Sequence, residues 1–253
     1  MRQDDDTAPG SRGDIPETID NDWDRFYLEY PDIYDRFAIT TPLVVAAAHD
    51  LVDFTGKVVI DAGSGTGKST FAMAQQAQFV YGIEPSEPMR AFAEQKQRAL
   101  GLSKVAFVDA AAPDLPIADK SADVLVSVYA FPWHFPFLGD DGRELGERFL
   151  SEARRVLSPG GYVIASDNAP GWYGGEVVAL MQPELDEGGR TRDAYMQRLG
   201  FAYRDIEFKA DYGSVAEAVA TYGFIYGRKA IDYLVAHNKR SIRWKPRLYY
   251  QQV

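Results

Sequence analysis

Between about residues 55 and 170 the chain alternates short, unbroken apolar runs with longer stretches of helical period. The runs are Val58-Val-Ile60, Phe79-Val-Tyr-Gly-Ile83, Val105-Ala-Phe-Val108, Val124-Leu-Val-Ser-Val-Tyr129 and Tyr162-Val-Ile-Ala-Ser166. Apolar residues at consecutive positions mark strands covered on both faces, as in a parallel sheet. Helices are expected between them: Lys68 to Gln78, a second from the Ser86 N-cap and Pro88 to Gly101, and Gly142 to Leu157. Met89, Phe92, Ala93 and Leu100 give the second its apolar side; Leu145, Phe149, Ala153 and Val156 give the third its own. Alternating strands and helices predict an α/β fold. Residues 176 to 200 read as helical with a break at Gly188-Gly189, and Phe201 to Tyr212 as a strand. Val215 to Asn238 is helical again, and Ser241 to Gln251 is the last strand.

Ahead of the first strand, Trp23, Phe26, Tyr27, Tyr30, Tyr34 and Phe37 recur at spacings of three and four, interrupted at Pro31. Pro42 opens a further helix, Leu43 to Val52. The aromatic stripe either covers the sheet's edge or forms a lid, with Tyr34 as the ring expected to face a site.

Asp61-Ala-Gly-Ser-Gly-Thr-Gly-Lys-Ser-Thr70 follows the first strand and opens a helix. Glycine there permits a tight turn and close approach of a ligand to the main chain. Three ligand classes compete for it. An NTPase phosphate loop, G-x-x-x-x-G-K-[ST], would use Lys68 and Ser69, but Ala62 stands at its first glycine. A dinucleotide loop, G-x-G-x-x-G, fits Gly63 and Gly65 and then meets Lys68. The pattern D-x-G-x-G-x-G is met in full by Asp61, Gly63, Gly65 and Gly67. Glu84 ends the second strand, where its lone pairs suit both hydroxyls of a ribose, and Asp109 ends the third.

Together these motifs resemble the class I S-adenosylmethionine (SAM) dependent methyltransferases over roughly residues 55 to 170. Leu115–Asp123 looks like that family's lead-in to strand four, and Arg154–Gly161 like its turn before strand five. The resemblance implies a doubly wound, mostly parallel seven-stranded sheet with an antiparallel last strand and N-terminal helices over the cofactor. It implies SAM as cofactor, lined by Asp61, Gly63, Ser64, Gly65, Gly67, Glu84, Pro85, Asp109, Ala110 and Tyr129. Asp109 would accept from the adenine amino group, and the small residues from Ala110 to Ala112 leave room for the flat base.

Tyr129-Ala-Phe-Pro-Trp-His-Phe-Pro-Phe137 follows strand four at the carboxyl edge, where open α/β sheets bind ligands. Trp133 is a candidate substrate contact with Tyr34. His134 is either a general base or a packed loop histidine. Related enzymes often carry a histidine two positions earlier, where this chain has Pro132. Residues 167 to 175 are expected as a loop that lines a substrate pocket. Arg243, Lys245 and Arg247 share one face of the last strand, as a charged edge or an anion-binding patch.

Composition narrows the partners. The 253 residues carry a net charge of −10, which argues against nucleic-acid binding. There is no cysteine, so disulfides, thiolate metal sites and a cysteine nucleophile are excluded, and no metal site is expected. No run has membrane-spanning length and no leader is evident, so a cytoplasmic protein with a small-molecule acceptor is expected. Residues 1–18 read as an acidic disordered tail and 19–253 as one domain, with 19–54 its helical lid and 55–170 its cofactor core. The expected chemistry is in-line displacement of a methyl group toward a small aromatic or apolar acceptor. A phosphotransferase, or a SAM-binding protein without catalysis, is the alternative.

Overall fold

The structure is a computed structural model that describes residues 18–131 and 140–253, apart from the side chains of 140–143, 187 and 188. Residues 1–17 of the expected acidic tail lie outside the described residues, as do Trp133 and His134, while Thr18 donates to Asp20 at 2.9 Å.

Five parallel strands form the centre: β1 (Val58–Ala62), β2 (Phe79–Ile83), β3 (Val105–Val108), β4 (Ala122–Val128) and β5 (Leu157–Asn168). The seven-stranded sheet runs β3-β2-β1-β4-β5 and then takes in two strands from the chain's end. These are β9 (Pro246–Gln252), antiparallel to β5, and β6 (Ala202–Asp205), paired to the far side of β9. The sheet expected from the family resemblance is thus present, with its antiparallel strand next to last in space.

Two buried layers sandwich the sheet. On one face α3 (Thr41–His49) and α4 (Lys68–Met73) bring Val44, Val45, Ala48 and Met73 onto Val59, Val124 and Val126. On the other, α6 (Asp140–Val156) and α8 (Glu187–Arg198) bring Phe149, Ala153, Val156 and Met196 onto Ile60, Leu125 and Val163. Side chains of alternate parity along β1 and β4 therefore enter opposite layers, which is why the strands read as continuous apolar runs.

A third core stands apart from the sheet. The aromatic stripe forms α1 (Trp23–Glu29) and α2 (Pro31–Phe37), with Pro31 starting the second helix. Phe26 is fully buried, its ring centroid 5.7 Å from that of Trp23, 5.8 Å from Tyr34 and 6.3 Å from Phe224. Those partners include α10 (Phe224–Ala236), so the stripe covers a cap and not the sheet edge. Gly227 within α10 has φ 78°, and any Cβ there would overlap the Asp20 carboxylate, which fixes glycine where the chain enters α1.

Several segments differ from expectation, each for a physical reason. Phe201 to Tyr212 is two strands, β6 and β7 (Phe208–Asp211), and the last segment is also two, β8 (Ser241–Trp244) and β9. Pro246 has no N–H to give the ladder. There the antiparallel ribbon leaves the main sheet, and β7 pairs with β8 alone. Of the three cations only Arg247 lies on β9, interior to the sheet; Arg243 stands on the two-stranded ribbon and Lys245 between the two strands, so they do not share one charged edge. Their partners are Glu176 at 2.9 Å, Asp205 at 3.6 Å, and Asp193 and Asp205 at 2.5 and 2.6 Å, respectively. With those carboxylates in place they form no anion-binding patch. The helical break falls at Gln182-Pro183, and α8 runs through Gly188-Gly189 in its first turn. Asp167 and Asn168 are the tip of β5, not loop.

Phe26→Ala removes the ring around which α1, α2 and α10 close. Large aromatic deletions in a full core cost about 3–5 kcal/mol. Denaturant unfolding is expected to show that loss.

Candidate functional site

The glycine loop is built by hydrogen bonds that turn its amides inward. The N–H groups of Gly63 and Ser64 both donate to the Ile83 carbonyl, at 2.9 and 3.0 Å. Gly65 N–H donates to Glu84 Oε2 at 2.8 Å, and Gly67 N–H to the Ser64 carbonyl at 2.9 Å. Gly63 has φ 82°, and a Cβ at that position would overlap the side chain of Ala130 at the end of β4. A phosphate nest needs such amides free and aimed outward. Lys68 Nζ lies 3.9 Å from Asp35 on α2, and Ser69 donates to Asp61 Oδ2 at 2.7 Å. Both residues that an NTPase would use are thus engaged elsewhere.

The three strand-tip acids sit in three environments. Asp61 is fully buried; its Oδ2 also accepts from Thr70 at 2.5 Å, while Oδ1 has no hydrogen-bond partner. Glu84 is 8% exposed, and its second oxygen accepts from Ser86 N–H at 2.8 Å. Burial pushes its carboxyl up, opposed by those backbone donors and by Arg90. Asp109 has a 72% exposed side chain, held 3.0 Å from the Arg90 guanidinium. Arg90 also donates to the Glu84 carbonyl at 2.8 Å, so one side chain ties the tips of β2 and β3 together. Ser64 is buried with an unpartnered hydroxyl, Pro85 is exposed, and Ala110 packs against the sheet's core. The whole cradle offers acceptors and one spare hydroxyl. That set fits SAM, whose ammonium, sulfonium and ribose hydroxyls are cations and donors.

Next to it lies a chamber of about 250 Å³ between the sheet's carboxyl edge and the cap. Trp23, Tyr27, Tyr34 and Phe37 come from α1 and α2, Tyr226 from α10 and Trp244 from β8. Tyr129 follows β4; Asn168 and Tyr173 lie at and beyond the tip of β5. Tyr34 belongs to both places: a Cβ on Gly65 would stand 3.3 Å from its ring. Asp35, the next residue, anchors α2 over the loop by accepting from Thr66 at 2.8 Å and Lys96 at 2.7 Å. Burial raises the phenols of Tyr27, Tyr34, Tyr129 and Tyr226 well above their ordinary value, so the walls stay neutral across physiological pH.

Tyr34, Tyr129 and the 167–175 segment were legible candidates. Asn21, Tyr226, Trp244 and Arg90 carry no local motif; they reach the site through the cap's packing or across two strand tips. Among the described residues no cluster of metal-ligating side chains is found.

Burial pushes the Asp61 carboxyl up to about 6 against the pull of Thr70 and Ser69. A folded state that holds its proton more tightly than the unfolded chain is stabilised while that proton is on. The contribution is complete below the unfolded value of about 4, and is lost as pH rises through about 6. Asp61→Asn is therefore expected to gain stability relative to the parent protein between pH 4 and 7. Denaturant unfolding of both proteins across that range checks it, and a constant difference contradicts it.

Comparison with known proteins gives the fold and chemistry a family. A family model described as a methyltransferase domain matches residues 60–165. A methyltransferase of Geobacillus sp. is 33% identical over 153 residues, 60% of this chain and 63% of that protein. The match thus spans less than two thirds of that relative's length. A methyltransferase of Mycobacterium sp. is 30% identical over 222 residues, covering 87% of this chain and 78% of the relative. The solved structure of an Anabaena variabilis protein, named as a methyltransferase from an antibiotic biosynthesis pathway, superposes with a TM-score of 0.58 at 19% identity. It covers 83% of this chain and 97% of that one, and shows the shared fold. The chain belongs to the class I SAM-dependent methyltransferase family.

Proposed function

We propose that this protein transfers the methyl group of SAM to a small aromatic or otherwise apolar acceptor held in the chamber beneath the cap. One observation carries it: an acceptor-rich cradle and a neutral, aromatic-walled chamber meet at Tyr34. The bound cofactor supplies an electrophilic methyl group on a sulfonium, with a neutral thioether as leaving group.

The chain's residues supply position. Glu84 keeps lone pairs beyond those used by Gly65 and Ser86, and these accept from the ribose hydroxyls. Asp109, steadied by Arg90, serves the adenine edge beside Ala110. Gly63, Gly65 and Gly67 keep the main chain slim where the cofactor lies. The aromatic faces of Tyr34 and Tyr129 favour a cation and exclude water from it. Holding an acceptor in near-attack geometry contributes up to roughly 7–11 kcal/mol in favourable cases. An oxygen acceptor also requires a proton to leave. The phenols of the walls are held protonated and are poor bases for that step. His134 is the sequence's candidate and lies outside the described residues.

Calorimetry with SAM, and in parallel with ATP and Mg²⁺, tests the cofactor. SAM is expected to bind and ATP not to. Glu84→Ala is expected to weaken SAM about tenfold or more, the weight of a charge-assisted hydrogen bond or two. Labelled methyl transfer to a panel of aromatic acceptors then separates an enzyme from a protein that only binds SAM.

A further inference from the structure

We infer that the acceptor is a molecule of one or two rings that carries a hydroxyl group and no negative charge, and that the Asn168 carboxamide reads that hydroxyl. This rests on the methyltransferase function proposed above.

Asn168 is 5% exposed and lines the chamber, yet its Oδ1 has no hydrogen-bond partner. Its backbone is fixed at the tip of β5 by register with Pro246 and by Arg192, which donates to its carbonyl at 3.1 Å. A rigid main chain thus holds the residue at the border of a space walled by rings, with Oδ1 itself buried. A buried carboxamide left unsatisfied costs free energy that a ligand's polar group recovers. Asn21 repeats the arrangement at the entry to α1: its N–H is held by the Ile225 carbonyl, the residue lines the same chamber, and its Oδ1 is buried without a partner.

Negative charge is what the chamber cannot accommodate. Among the described residues, none that lines it is acidic, basic or a histidine. The nearby buried pair, Arg192 and Asp167, is closed on itself at 2.6 Å. A carboxylate in the chamber would be buried with no counter-charge, at a cost far above that of a neutral group. Size sets the other bound, since about 250 Å³ lies just below the usual range for small-molecule pockets. A carboxamide accepts from a hydroxyl through Oδ1 and donates to it through the NH₂, so a hydroxyl satisfies either orientation of the group. An unsubstituted ring satisfies neither.

Ligand-observed NMR titration of the full chain with 1-naphthol, naphthalene and 1-naphthoate tests this. Naphthol is expected to bind about tenfold more tightly than naphthalene, and naphthoate not at all. Asn168→Leu is expected to erase the naphthol preference while naphthalene still binds. Should that variant fail to fold, Asn168→Ser replaces it, and the three ligands on the parent protein decide by themselves. Equal binding of naphthol and naphthalene, tighter binding of naphthoate, or a preference that survives in the folded variant overturns the assignment. SAM calorimetry on the same samples keeps the two questions apart. Loss of SAM binding with the naphthol preference intact sinks the methyltransferase function alone. SAM binding without the preference sinks the Asn168 assignment alone.

Discussion

The structure depends on where the glycine loop spends its amides. Gly63 and Ser64 give theirs to Ile83, and Gly65 gives its own to Glu84. The loop is thereby stitched across the carboxyl ends of β1 and β2, with carboxylate and hydroxyl oxygens beside it. A strand–glycine–helix unit with Gly67-Lys68-Ser69 at its end has the components of a phosphate site. Its hydrogen bonds make it a receptor for cations and hydroxyls. The same stitching draws Lys68 away to Asp35 and Ser69 inward to Asp61.

The cap follows from a different constraint, the break at Pro246. Without a proline there, β8 and β9 could continue as one strand along β5. With it, the ribbon turns off the sheet at Asn168 and carries Trp244 above the carboxyl edge. The aromatic stripe of α1 and α2 then packs on α10 and the ribbon, and the Phe37 ring meets Phe26 of α1, Tyr226 of α10 and Trp244 of the ribbon. A chamber forms because cap and sheet are joined at its rim, by Tyr34 against the loop and by Asp35 to Lys96 and Thr66. Position and neutrality arrive together: the phenols that shape the walls are buried deeply enough to keep their protons.

Charge is sorted by depth around this site. Asp61 and Glu84 are buried with raised carboxyls, where a cationic ligand gains most from their ionised forms. Asp109 stands out in solvent with Arg90 for company. Among the described residues the chamber between sheet and cap holds no charged side chain, and its polar groups include phenols, hydroxyls and the carboxamides of Asn21 and Asn168. Cradle and chamber thus offer different electrostatic surroundings on either side of Tyr34.

The sequence by itself determined the sheet and its ligand edge. Continuous apolar runs can be satisfied only between two layers, and carboxylates placed just after Ile60, Ile83 and Val108 can emerge only at one end of parallel strands. Those signals are local, so they survive in a linear reading. The cap was beyond it. Asn21, Asn168, Tyr226 and Trp244 are scattered through the chain and converge only when α1 docks on α10 and the ribbon bends at Pro246. The last strand read as a charged edge because Arg243, Lys245 and Arg247 alternate with apolar residues. Asp193, Asp205 and Glu176 come from other elements and exist for those cations only in the folded protein. Which amides a glycine loop keeps and which it gives away is likewise a tertiary decision, since the carbonyl of Ile83 and the carboxylate of Glu84 belong to a neighbouring strand.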